Sequence, residues 1–223
     1  MAERPYYEAY DGRYRIAHAA GVRWMGDEPS PIVRETLEKY GVSRRRPILE
    51  LGCGEGRDAE PLLADGYDLL ATDVSPEAIR SCRRRLPAHA ARFQTLDFLK
   101  DRLERRFAFI YAIAVLHMLV PDTDRAAFYR FIREHLEPGG LALIGSMGDG
   151  EHERQSDIRR AFELQERESG AGVLRVPSTS CRIVGFPTLE RELADNGLQP
   201  VERGLCSMEP QFDRMMTVVV RQA

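Results

Sequence analysis

Cysteine is scarce. Cys53, Cys82, Cys181 and Cys206 are scattered over 223 positions with no C-x-x-C pair. That scatter argues against a disulfide framework or a cysteine zinc site, and suits reduced thiols in a cytoplasmic protein. Asp149, His152 and Cys181 lack tight ligand spacing, so no metal is expected. Long apolar runs are also missing. The longest, 107–119, is too short for a bilayer-spanning helix, which needs about 20 residues, and reads as a buried strand with its exit loop. The N-terminus, Met-Ala-Glu-Arg-Pro-Tyr, has no apolar stretch and does not read as a signal peptide. No excess of one charge exists: Lys and Arg total 32 against 35 Asp and Glu, a net charge of -3. A nucleic-acid binder usually shows a basic excess or stripe. Here the arginine runs at 44–46, 83–85 and 102–106 fall at expected helix ends or before strands and read as solvated surface. Neither a nucleic-acid nor a membrane partner is expected.

What is present is an alternating pattern. With 43% hydrophobic and 30% charged residues, the chain can build one sizeable α/β core. Strands are expected over 47–51, 67–72, 91–96, 107–112 and 141–146, separated by helical segments. That alternation predicts a doubly wound, largely parallel sheet with helices on both faces. Ser75 caps a helix that begins with Pro76. Asp122 or Thr123 caps the next, and Pro138-Gly139-Gly140 turns into the fifth strand. A charged helix is expected over 156–168. Thr188 should cap a final helix, followed by strands over 198–207 and 215–221. The first 45 residues read as helical and hold Tyr6, Tyr7, Tyr10, Tyr14 and Trp24.

The first strand ends in Glu50-Leu51-Gly52-Cys53-Gly54-Glu55-Gly56. Glycines at this spacing let the backbone turn sharply and let a ligand approach the main chain. The following helix offers free N–H groups to that ligand. The spacing G-x-G-x-G differs from the G-x-G-x-x-G of dinucleotide binding. Acidic residues close the next two strands, Asp73 and Asp97.

Together these residues resemble the class I S-adenosylmethionine-dependent methyltransferases, clearly over 47–147 and again over the closing helix and strands at 187–221. The stretches 50–59, 65–73 and 115–119 are most similar to small-molecule and tellurite-resistance members. The resemblance implies a Rossmann-like sheet with an antiparallel last strand and a helical N-terminal lid. The single domain would divide into a lid at 1–45, a cofactor-binding core at 46–147, a substrate-side insertion at 148–186 and a closing unit at 187–223. It implies S-adenosylmethionine as cofactor and S-adenosylhomocysteine as product. Gly52, Cys53, Gly54 and Gly56 would pass the methionine portion, and Glu50 would act near its ammonium through water. Asp73 would accept the ribose hydroxyls, Val74 would pack on the adenine, Asp97 would take its amino group, Phe98 would lie beside the ring and Ala114 beside the cofactor. Arg57 holds the cofactor carboxylate or is a solvated helix residue.

His117 follows the fourth strand, where a histidine can serve as general base or as a structural hydrogen-bonding residue. Many family members carry a histidine one position later, where this chain has Met118. Tyr10, Tyr14, Trp24, Met118, Met147 and Arg182 are the candidate walls for a small-molecule substrate, or in the case of the aromatics simply pack the helices onto the sheet. The rival readings are a nucleic-acid or protein methyltransferase, a non-catalytic cofactor-binding regulator and a nicotinamide oxidoreductase. Against the first, the Asn/Asp-Pro-Pro-aromatic signature of nucleic-acid amino methylation is replaced by Ala112-Ile113-Ala114-Val115. Nothing in the pattern fixes the oligomeric state or the accepting atom.

Overall fold

The structure is a computed structural model and describes residues 4–208 and 212–223; residues 1–3 of the expected lid lie outside them. Helices α1 (Ala9–Ala19) and α2 (Pro31–Lys39) precede an α/β unit made of β1 (Ile48–Leu51), α3 (Ala59–Ala64), β2 (Leu69–Asp73), α4 (Pro76–Arg85), β3 (Phe93–Thr95), β4 (Phe107–Ile113), α5 (Asp122–His135) and β5 (Leu136–Met147). Short strands β6 (Arg154–Gln155), β7 (Leu164–Ser169), β8 (Gly172–Pro177) and β9 (Arg182–Ile183) follow, then α6 (Phe186–Asp195), β10 (Leu198–Met208) and β11 (Phe212–Gln222).

Seven strands form one sheet in the order β10-β11-β5-β4-β1-β2-β3. β1 pairs in parallel with β2 and β4, β2 with β3, and β4 with β5, whereas β11 is antiparallel to both β5 and β10. The chain reverses its direction across the sheet between β1 and β4, so their carboxyl ends splay apart and leave the crevice where open α/β sheets bind ligands. β1 is buried along its whole length, as a central parallel strand covered on both faces must be. Apolar residues pack on both sides of the sheet: Leu49, Ile110 and Ile144 with Phe128 and Ile132 of α5 on one, Ile48 and Phe109 with Leu37 and Ile79 on the other.

Ser75 caps α4 by accepting the Ala78 amide at 3.1 Å. The other expected caps differ. Pro121, not Asp122 or Thr123, precedes α5, and Asp122 instead pairs with Arg182. Gly185 precedes α6, its amide bonded to Glu153, while Thr188 sits inside the helix and accepts from Arg191. Pro138-Gly139-Gly140 is an irregularity within β5 rather than a turn before it, since Leu136 already pairs with Phe107 before the register shifts.

The largest correction concerns 156–168. In place of a helix, a single 3-10 turn at Ile158–Arg160 leads into a β7–β8 hairpin closed by Gly170-Ala171. Leu, Gln, Glu and Arg favour a helix locally. The segment Gly172-Val173-Leu174-Arg175-Val176, with β-branched Val173 and Val176 and reached through a two-residue turn, supplies a strand partner that overrides that preference. Glu166 and Arg175 face each other across the pair.

Candidate functional site

A cavity lies over the carboxyl ends of β1, β2 and β4. Of the residues singled out in the sequence, Glu50, Gly52, Cys53, Gly54, Arg57, Asp73, Val74, Asp97, Phe98, Ala114, Tyr10, Tyr14 and Met118 all line it. Ala114 leaves β4 with φ of 61°, a left-handed conformation uncommon outside glycine, held by its amide donating to Gly145. Gly54 has φ of 52°, and a Cβ there would come within 2.7 Å of the Tyr14 hydroxyl, so the roof of the cavity closes only over a glycine.

Two buried polar atoms in the cavity wall have no hydrogen-bond partner: Oε2 of Glu50 and Nε of Arg57. Glu50 is 3% exposed. Burial first, then the negative charge of Asp58, pushes its carboxyl well above the ordinary range. Arg57 is buried too, which removes the solvated reading; its terminal nitrogen donates to Ser30 Oγ at 2.9 Å. Burial pushes Asp73 up to about 6, against the pull of the Ser75 and Gly54 amides. Asp97 accepts the Tyr7 hydroxyl at 2.8 Å and pairs with Lys100 at 2.9 Å.

Three expected site residues line neither this cavity nor the one beside it. Gly56 is required by packing: a Cβ would sit 3.1 Å from Cys82 Sγ and 3.3 Å from the Phe93 ring. The Trp24 ring packs under Arg13, whose guanidinium lies 4.6 Å from its centroid. Arg182 is turned toward α5 and α6, bonded to Val120 O and paired with Asp122 and Glu192. His117 and Met147 line an adjoining pocket that shares Tyr10 with the cavity. The Met147 amide donates to His117 Nδ1 at 3.3 Å, which places the proton of the neutral ring on Nε2. Burial, with the charge of Arg125, lowers His117 to about 4.

Sequence reasoning missed Glu55, Asp11 and Tyr7. Glu55 accepts the amides of Trp24 and Met25 and one nitrogen of His18, while the other His18 nitrogen meets Glu77. Asp11 on α1 accepts the Ser75 hydroxyl and the Glu77 amide. These bonds fasten α1 across the glycine loop and the start of α4. An acid inside a loop of small residues was the available signal for Glu55; Asp11 and Tyr7 carry none, because their partners are set by tertiary packing.

Residues 48–140, somewhat under half of the chain, match the family model for a methyltransferase domain. Among curated proteins, hemagglutinin 1 of Eikenella corrodens is 34% identical over 126 residues, 52% of this chain and 38% of that protein. The chain spans about half or less of the curated relatives it matches. Among solved structures, the CcbJ methyltransferase from Streptomyces caelestis superposes with a TM-score of 0.72 at 23% identity, covering 99% of this chain and 100% of that one. The glycopeptide N-methyltransferase MtfA, crystallised with S-adenosylmethionine, gives 0.65 at 22% identity, covering 91% and 97%. The fold is therefore the Rossmann-like α/β fold that these solved structures share.

Proposed function

We propose that this chain is an S-adenosylmethionine-dependent methyltransferase acting on a small molecule. The observation that carries the reading is a pair of buried polar atoms without a hydrogen-bond partner in one cavity wall, Oε2 of Glu50 and Nε of Arg57, the latter on a guanidinium whose terminal nitrogen is held by Ser30 and Asp58. A buried polar group without a partner costs stability unless a ligand satisfies it. An ammonium beside Glu50 and a carboxylate beside Arg57 describe the amino-acid end of S-adenosylmethionine. Asp73 then stands at the ribose hydroxyls, Val74 and Phe98 against the adenine, and Asp97 at its amino group. When bound, the cofactor supplies a methyl group on a sulfonium, leaving S-adenosylhomocysteine as product.

The chain's own residues position and enclose. Residues 4–45 act as a lid, fastened through Glu55, Asp11 and Tyr7, and keep water from the reacting atoms. The pocket beyond Tyr10 receives the acceptor. His117, a weak base with its Nδ1 already occupied, lines the pocket that receives the acceptor and is not its general base. An amine, thiolate or oxyanion that is nucleophilic without a protein base fits such a site. Among the described residues no helix is long and apolar enough to cross a membrane, and the four free cysteines support a reduced, cytoplasmic setting.

The test is incubation with methyl-labelled cofactor and a metabolite library spanning amines, phenols, thiols, carboxylates and tellurite, read by mass spectrometry. Labelled product appearing in step with S-adenosylhomocysteine is expected. Binding of S-adenosylhomocysteine with no acceptor methylated, or methylation confined to nucleic acid or protein, overturns the proposal.

A further inference from the structure

We infer that the acceptor pocket is built for an anion: a carboxylate or phosphate group of the small-molecule acceptor is held by Arg154 and Arg167 with Arg13 behind them. The inference rests on the methyl-transfer reading and names the acceptor class for it.

All three arginines line the pocket that meets the cofactor cavity at Tyr10, and no carboxylate lines it. Arg13 is buried and spends its donors on Pro177 O, Ser178 O and Thr179 Oγ1 at 2.8 to 3.3 Å. Those neutral acceptors hold the guanidinium in place but leave its charge uncompensated. Burial draws Arg13 below its ordinary value, and the charge of Arg167 adds to that pull. Arg167 belongs to β7, where alternate side chains face opposite ways. It shares the pocket face with Gln165, while Glu166 and Glu168 occupy the other face of the hairpin. Arg154 comes from β6, and neither it nor Arg167 forms an ion pair among the described residues. Neighbouring arginines outside the pocket do: Arg125 is paired with Glu192, and Arg182 with Asp122 and Glu192.

Three like charges around one concave, partly enclosed site repel each other unless an anion enters. Guanidinium groups match carboxylate and phosphate oxygens in pairs, and Gln165 and Ser178 stand beside them as further polar groups. With the anionic end fixed there, the rest of the acceptor points past Tyr10 and His117 toward the cofactor cavity. The chain as a whole has a net charge of -3, so this positive site is a local arrangement.

The test uses the full chain, with and without saturating S-adenosylhomocysteine, and three probes: benzoate, phenyl phosphate and uncharged benzamide, followed by saturation-transfer NMR titration. At least one anion should bind ten times or more tighter than benzamide. The double variant Arg154→Gln, Arg167→Gln changes only exposed side chains; it should lose that binding by tenfold or more while its S-adenosylhomocysteine affinity stays as in the parent. Benzoate binding alone assigns a carboxylate, phenyl phosphate alone a phosphate. Equal binding of benzamide, no binding of either anion, or anion binding unchanged in the variant overturns the inference. Variant-sensitive anion binding by a protein that does not take up S-adenosylhomocysteine would leave the anion pocket standing and remove the methyl-transfer reading.

Discussion

Oδ2 of Asp73 accepts the amide of Gly54 at 2.8 Å, while Oδ1 of the same carboxylate accepts the amide of Ser75 at 2.8 Å. One side chain thus braces the glycine loop after β1 and the entry to α4, and also forms part of the cavity wall. Its two roles separate by pH. Burial raises Asp73 to about 6, so its favourable contribution to stability is complete below the ordinary carboxylate range and is lost as pH rises through about 6. In Asp73→Ala two buried amides lose their acceptor, which costs roughly 1–3 kcal/mol each, but a buried charge is removed. The stability deficit of the variant should therefore be small at pH 7 and widen on acidification to pH 5, measured by urea unfolding. Its affinity for S-adenosylhomocysteine should fall about thirtyfold to a thousandfold, from the loss of roughly 2–4 kcal/mol of charge-assisted hydrogen bonding.

Glu50 gives the opposite balance. Its buried Oε2 has no partner, so Glu50→Gln removes an uncompensated acid. Thermal unfolding of the ligand-free variant should occur at the same temperature as the parent or higher. Affinity for S-adenosylhomocysteine should drop about tenfold to a hundredfold, the scale of one hydrogen bond to a charged group. A destabilised variant that binds normally would make Glu50 a packing residue.

These two carboxylates were legible in the sequence because their placement is local. An acid at a strand end beside glycines is fixed by β1 and β2 themselves. The hairpin at β7–β8 was not, because Leu164 to Ser169 reads as helix until Val173 and Val176 are seen as its partner strand. Trp24 and Arg182 were placed at the site by residue type, yet the Trp24 ring is set by Arg13 on the neighbouring helix, and Arg182 is turned away by Val120 and Asp122, 62 and 60 positions distant. Glu55 stands out as an acid among small loop residues, but its partners, the backbone amides of Trp24 and Met25, carry no side-chain pattern that names them.

His117 sets an acid limit on the fold. It lies at about 4 when folded against an ordinary 6.5. The depressed value means that stability is fully present above about 6.5 and is lost as pH falls toward 4, by at most about 3 kcal/mol. His117→Gln should lose less stability than the parent between pH 7 and pH 4.5 in urea titrations. If the two lose stability in parallel, the buried ring is not the titrating group.

The central claim is that the cavity over β1, β2 and β4 is a site for S-adenosylmethionine, and calorimetric titration tests it most directly. The ligand-free chain should bind S-adenosylhomocysteine with a micromolar dissociation constant and give no binding heat with NAD at the same concentrations. Binding of NAD with none of S-adenosylhomocysteine would contradict the account.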